Sequence, residues 1–213
     1  MAEASFLTDT RSGYDTIAAA YTETFAGELD ASPWERAILS AFAEVVGPGE
    51  PVADIGCGPG RVTGFLAERG LAIRGLDLSP VMVELARQRH PDIRFDVGSM
   101  TALEISDGSL AAVAAWYSLI HIPPAERPAV LAEFHRVLRP GGRLLLGFQA
   151  GTETKHYDEG FGFPVSLDFH RIVPEEAAAV AEAAGFAVEM RFVRAPAGTE
   201  TTPQAALLLL RSS

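Results

Sequence analysis

Two carboxylates bracket a glycine turn in the first third of the chain. In VADIGCGPGR (Val52 to Arg61) an apolar run carries Asp54 near its end and opens onto glycines at alternate positions, Gly56, Gly58 and Gly60, with Cys57 among them. Without Cβ atoms, such a turn lets the polar edge of a ligand come close to main-chain N–H groups. Asp77, in RGLDLSP, closes the next apolar run, where the second strand of a doubly wound sheet presents a carboxylate to a ribose diol. The pair describes a pocket for an adenosine-bearing ligand.

Departures from two well-defined loops narrow the ligand. The dinucleotide fingerprint G-x-G-x-x-G needs a third glycine where this chain has Arg61. A phosphate-binding loop needs Gly-Lys-Ser/Thr, which does not follow the turn. Asp54 would repel a pyrophosphate and suits a cation. The pattern D-x-G-x-G-x-G resembles motif I of the class I S-adenosylmethionine-dependent methyltransferases, whose cofactor carries a sulfonium, an ammonium and no phosphate.

The resemblance extends from about Tyr14 to Arg211, with its specific motifs in the central third. GLDLSPVMVELAR (Gly75 to Arg87) is similar to the second motif, which implies an acid on the ribose and Leu78 and Met82 beside the adenine. The stretch from Val97 to His121 is similar to the third and fourth motifs, and VLRPGGRLLLGF (Val137 to Phe148) to the turn and strand that follow. In relatives an aspartate usually follows the glycine of the third motif. Here that position is Ser99, whose hydroxyl still accepts a hydrogen bond, and the Ser99 and Met100 main chain supplies further contacts. Cys57 reads as a small filler of the loop. The product form of the cofactor would be S-adenosylhomocysteine.

Further candidates follow from position. The carboxyl end of the fourth strand, Trp116, Tyr117 and Ser118, should face the ligand crevice, with the two aromatics either stacked on substrate or sulfonium or serving as simple packing. Tyr14 and Tyr21 are seven apart, so a helix puts both on one face, either over the methionine part of the cofactor, as in similar enzymes, or within an apolar stripe with Ile17, Ala18 and Phe25. Methyl transfer from a sulfonium needs alignment and dryness more than a nucleophilic side chain. A hydroxyl acceptor also needs a base, for which His121, just after the fourth strand, is the candidate; the alternative is a helix-capping or carbonyl-binding histidine. Residues 150–173, rich in aromatics, charges and glycine, resemble the variable insertion that shapes the acceptor pocket. Phe161, Phe163 and Phe169 are candidates to line it, with Arg171 or His170 reading an anionic or polar substituent and Tyr117 stacking on substrate; His156, Tyr157, His170 and Arg171 are reserve candidates for the base, and a plain excursion over the sheet edge is the alternative.

The elements that must hold these residues alternate as strand and helix, the pattern of a parallel sheet with crossover helices. Strands are expected near Val52–Ile55, Ile73–Asp77, Ile93–Asp96, Leu110–Ala115 and Arg143–Gln149. Helices are expected at Val62–Arg69, Pro80–His90, Ala125–Leu138 and Pro174–Ala184, and at about 11–27 and 33–46 as a cap before the first strand. Ala187–Arg194 and Gln204–Arg211 should close the sheet as an antiparallel hairpin. The expected fold is an α/β Rossmann-like, seven-stranded, mostly parallel sheet in a single domain over 1–213.

Composition bounds the function. The 213 residues carry a formal charge of −11 and 48% hydrophobic residues, which supports one core and offers no basic footprint for nucleic acid or anionic membrane. One cysteine excludes an internal disulfide. No signal peptide or membrane span is read, so a cytoplasmic monomer or homodimer acting on a small molecule is expected. An NAD(P)-dependent oxidoreductase, disfavoured by Arg61 and Asp54, and a non-catalytic binding protein, disfavoured by the intact loop, are the alternatives. A metal-dependent enzyme would need acids at the end of the fourth strand, where Trp116-Tyr117-Ser118 stands, so no metal is expected.

Overall fold

The structure, a computed structural model, describes residues 4–212. In chain order the elements are α1 (Ser5–Thr24), α2 (Glu28–Ala31), α3 (Pro33–Val46), β1 (Pro51–Ile55), α4 (Arg61–Ala67), β2 (Ala72–Asp77), α5 (Pro80–Arg89), β3 (Phe95–Val97), β4 (Leu110–Trp116), a 3-10 turn (Leu119–His121), α6 (Arg127–Val137), β5 (Leu138–Gln149), β6 (Thr154–Gly160), β7 (Phe163–His170), α7 (Pro174–Ala183), β8 (Phe186–Arg194) and β9 (Gln204–Arg211). Seven strands form one sheet in the order β3-β2-β1-β4-β5-β9-β8. The pairs from β3 through β5 are parallel; β5–β9 and β8–β9 are antiparallel. This is the Rossmann-like sheet with a closing hairpin that the sequence predicts.

Strand β4 shows why the sheet is buried on both faces. Its seven residues, LAAVAAW, are all buried. Val113 and Ala115 pack with Phe134, Val137 and Ala181 on one side, while Ala112, Ala114 and Trp116 pack with Leu39, Phe42 and Leu66 on the other. A strand covered by helices on both faces reads as a continuous apolar run, with small residues where helices come close. Between the paired positions Leu110↔Leu138 and Ala112↔Arg143 the register shifts, so Pro140-Gly141-Gly142 forms an irregularity inside β5 rather than a loop before it.

The cap and the insertion differ from expectation. Helix α1 begins at Ser5, well before residue 11, and the short α2 separates it from α3. Residues 150–173 contain a second, two-stranded sheet, β6–β7. Its turn is Phe161-Gly162, both with positive φ (54° and 81°), the signs of the primed turn that matches strand twist in a two-residue hairpin. The dense charges of TKHYDEG hide this strand, because only alternate residues face the protein. The hairpin packs on α1, where a Cβ on Gly13 would lie 2.7 Å from Leu167 Cδ2; the glycine is what permits that approach.

Candidate active site

The three loop glycines do different work. Each has a positive φ (77°, 53° and 81° for Gly56, Gly58 and Gly60), so each is left-handed backbone. A Cβ on Gly56 would sit 2.2 Å from Ser118 Cβ: the first glycine lets the β1 turn meet the end of β4, where Ser118 Oγ donates to the Ile55 carbonyl at 2.7 Å. A Cβ on Gly60 would meet His90 and Phe95, both at 3.0 Å, so this glycine seats α4 and lies outside the cavity wall. Only Gly58 faces open space, with nothing within 4 Å of its Cβ position.

Asp77 ties the glycine turn to β2. Its Oδ2 accepts from Gly58 N at 2.7 Å and its Oδ1 from Ser79 N at 2.8 Å. Ser79 in turn caps α5 by accepting from Met82 N at 3.1 Å, worth about 1 kcal/mol. Burial pushes the Asp77 carboxyl up to about 6, against the pull of those N–H donors. Burial also pushes Asp54 up to about 7, opposed by Thr63 Oγ1, which donates to its Oδ2 at 2.7 Å.

These groups wall a cavity of about 930 Å³, counting its open mouth, at the carboxyl ends of β1, β2 and β4. Sheet order reverses there, since β2 and β4 flank β1 on opposite sides. The wall includes Asp54, Gly56, Cys57, Gly58, Asp77, Leu78, Met82, Ser99, Met100, Trp116, Tyr117 and Ser118, and α1 covers it with Phe6, Leu7, Tyr14 and Tyr21. The Ser99 hydroxyl pairs with Thr101 Oγ1 at 2.8 Å. Trp116 is held by its Nε1, which donates to Glu35 at 3.1 Å, with its ring over Gly147. Tyr117 has a positive φ of 54°, uncommon for a residue with a side chain, and turns the end of β4 toward the cavity.

A second cavity adjoins the first. It spans about 1460 Å³ with its mouth and lies between α1, the β6–β7 hairpin, the end of β5 and the β8–β9 loop. Tyr14, Tyr21, Arg61 and Tyr117 line both cavities. The Tyr14 and Tyr21 rings meet edge to face with centroids 5.8 Å apart.

His121 stands beside this shared wall. Its Nδ1 lies 3.0 Å from the Asp168 carbonyl oxygen, which only accepts, so Nδ1 carries the hydrogen. Its Nε2 therefore accepts from the Tyr14 hydroxyl at 2.8 Å. Burial lowers the imidazole to about 4, so the ring is neutral at pH 7. The lone pair expected to take a proton directly is already covered by Tyr14.

Among the candidates on the insertion, side-chain parity decides the placement. Lys155, Tyr157, Glu159, Val165, Leu167, Phe169 and Arg171 line the second cavity. His156 and His170, one residue out of step, lie on neither cavity wall: His156 is exposed between Asp158 and Asp168, and His170 Nδ1 pairs with Thr154 Oγ1. Phe163, beyond the turn, is 46% exposed and also lines neither cavity, whereas Phe161 and Phe169 line the second. In the sequence Arg61 stands out only as a missing glycine. Its guanidinium lies 2.9 Å from Glu28 and 3.8 Å from Glu35 on the wall between the cavities. Its position directly after the turn, at the start of α4, was the available signal. Among the described residues, no group of three or more His, Cys, Asp or Glu is placed to hold a metal, and no helix is long and apolar enough to cross a membrane.

Residues 52–142 match the family described as methyltransferase domain. A demethylmenaquinone methyltransferase from Beutenbergia cavernae is 36% identical over 130 residues, 61% of this chain and 52% of that protein. The chain thus spans about half the length of the curated relatives it matches. Two solved structures share the fold. Magnesium protoporphyrin IX methyltransferase from Synechocystis, with bound S-adenosylmethionine, superposes with a TM-score of 0.75 at 19% identity over 100% of both chains. The 1,6-didemethyltoxoflavin-N1-methyltransferase of Burkholderia thailandensis, with bound 1,6-didemethyltoxoflavin and S-adenosylhomocysteine, gives 0.74 at 19% identity over 100% of this chain and 92% of its own. The matched methyltransferase domain runs from β1 into the start of β5 and so carries the glycine turn, Asp77 and His121. Helix α1, the hairpin and the β8–β9 loop, which build most of the second cavity, lie outside it.

Proposed function

We propose that the protein is an S-adenosylmethionine-dependent methyltransferase acting on a small molecule, with the cofactor in the first cavity and the acceptor in the second. The observation that carries this is the shared wall: ligands in the two cavities meet only across Tyr14, Tyr21, Arg61 and Tyr117.

The first cavity fits the cofactor. Asp77 keeps a free lone pair on each oxygen for a ribose diol, Leu78 and Met82 offer apolar surface to a flat base, and the open side of Gly58 admits close main-chain approach. Arg61, on the wall shared with the second cavity, suits the carboxylate of an amino-acid tail. An NAD-type ligand fits less well, because Arg61 fills the place where the fingerprint requires close helix packing.

When bound, the cofactor supplies an electrophilic methyl group. The chain's contribution is alignment and partial exclusion of water: α1 and the hairpin flank the junction, and the half-buried rings of Tyr14, Tyr21 and Tyr117 line it. A proton leaving an acceptor at Tyr14 Oη would move as the Tyr14 proton passes to His121 Nε2, while Nδ1–H stays on the Asp168 carbonyl. The buried imidazole resists that charge, so the pair orients the acceptor and takes a proton only from an acidic group.

Titration calorimetry with S-adenosylmethionine, S-adenosylhomocysteine and NAD tests the reading. Micromolar binding of the sulfur nucleosides without an NAD signal is expected; NAD binding in their place would overturn it.

A further inference from the structure

The charges facing the second cavity do not balance locally. Of its acids, Glu28 and Glu35 face Arg61, and Glu200 is paired with Arg194 at 2.5 Å. Of its bases, Lys155 and Arg171 make no ion pair or side-chain hydrogen bond among the described residues, although both are half-buried. Glu159, the remaining acid on the hairpin, lies toward the tip, paired in register with Pro164.

The hairpin also sets a gradient. At its tip Phe161 packs edge-on against Tyr21 and Phe25, with centroids 6.3 and 6.1 Å away. Six residues back along β6, roughly 20 Å at the usual strand rise, Lys155 pairs in register with Phe169, and Arg171 follows two residues on along the same face. Gln149, Thr202 and Gln204 line the cavity near this base end. Phe169 packs against His121 with centroids 4.7 Å apart, so His121 stands at the level of the cationic base, and Tyr14 extends from it toward Tyr21.

We propose that the acceptor is an organic acid with an apolar body, its anionic group held by Lys155 and Arg171 and its body lying toward Tyr21, Phe25 and Phe161. This rests on the assignment of the second cavity to the acceptor. Two half-buried cations without counter-ions are poor for the empty protein and favourable once an anion joins them. The weakly basic Tyr14–His121 pair agrees, since an acceptor that arrives ionised has no need of a strong base.

The test is calorimetry in saturating S-adenosylhomocysteine with benzoate, 2-naphthoate and dodecanoate, each beside its neutral primary amide. At least one acid is expected to bind ten-fold or more tightly than its amide. In Lys155→Met and Arg171→Met that preference should fall to within three-fold while the amide's affinity is unchanged, and Lys155→Arg should restore it. Equal binding of acid and amide, or no acid binding, overturns the proposal. So does a preference that survives both methionine variants. Failure of S-adenosylhomocysteine itself to bind would instead remove the methyltransferase reading, and the acid–amide comparison, run without it, still decides the anion site.

Discussion

The Tyr14 hydroxyl and His121 Nε2 lie 2.8 Å apart across 107 residues of sequence, joining the covering helix to the turn after β4. Removing the hydroxyl leaves a buried imidazole nitrogen without a donor. Tyr14→Phe should therefore lower stability by about 1–3 kcal/mol, the cost of an unsatisfied buried polar group. Urea unfolding measures it. Nitrogen NMR should still show the Nδ1–H tautomer in the variant, because the Asp168 carbonyl remains.

His121 also shapes the acid side of the stability curve. Its folded value is about 4 against 6.5 for the free side chain. Between those values the unfolded chain binds the extra proton, so His121 makes stability fall as pH drops from 6.5 toward 4. The full effect is about 3 kcal/mol. In His121→Gln that part of the decline should vanish, read as the change in urea midpoint between pH 7 and pH 5.

Asp54 and Asp77 act with the opposite sign. Raised to about 7 and 6 from 3.8, they hold protons in the folded, cofactor-free protein that the unfolded chain has released, so their contribution to stability declines as pH rises through that window. A cofactor that needs both as carboxylates should bind more tightly as pH climbs from 5.5 to 7.5, with proton release on binding near pH 6.5. Calorimetry in buffers of different ionisation enthalpy measures that release. In Asp77→Ala cofactor affinity should drop by about 1–3 kcal/mol, the scale of hydrogen bonds to a charged acceptor.

Two alanine variants separate architecture from binding. Gly56→Ala drives a methyl group into Ser118 and should destabilise the fold by about 1–3 kcal/mol or more, as overpacking does. Gly58→Ala meets no atom, so it incurs only about 1 kcal/mol of left-handed strain, yet its methyl group projects into the open space where a ligand would lie. Thermal melts should single out the first, and S-adenosylhomocysteine titration the second.

Gly13 offers a test of the cover. A Cβ there would lie 2.7 Å from Leu167, so Gly13→Ala should loosen α1 from the hairpin while leaving the seven-stranded sheet intact. Hydrogen exchange should quicken in β6 and β7 and stay unchanged in β4 and β5.

Much of the fold was legible because it depends on near neighbours. The apolar run of β4, Ser79-Pro80 at the start of α5 and the glycine turn after β1 state their conformations within a few residues. The Phe161-Gly162 turn is equally local, yet alternation in TKHYDEG is written in charged residues, so the hydrophobic pattern does not mark the hairpin. Of the residues proposed for substrate, His156 and His170 carry suitable chemistry on the wrong face, a distinction set by a pairing register that composition does not reveal.

By itself, the sequence determined the succession of the seven strands of the main sheet and the helices between them, the turn at Gly56–Gly60 and the presence of Asp54 and Asp77 at strand ends, since hydrophobic period and backbone freedom are short-range properties. Tertiary structure alone decided that Gly56 and Gly60 serve packing while Gly58 faces the cavity, that Tyr14 covers the lone pair of His121, and that Lys155 and Arg171 face a cavity with no ion pair among the described residues. Those outcomes depend on which distant segments come within a few ångströms of one another, and only the closed fold sets those distances.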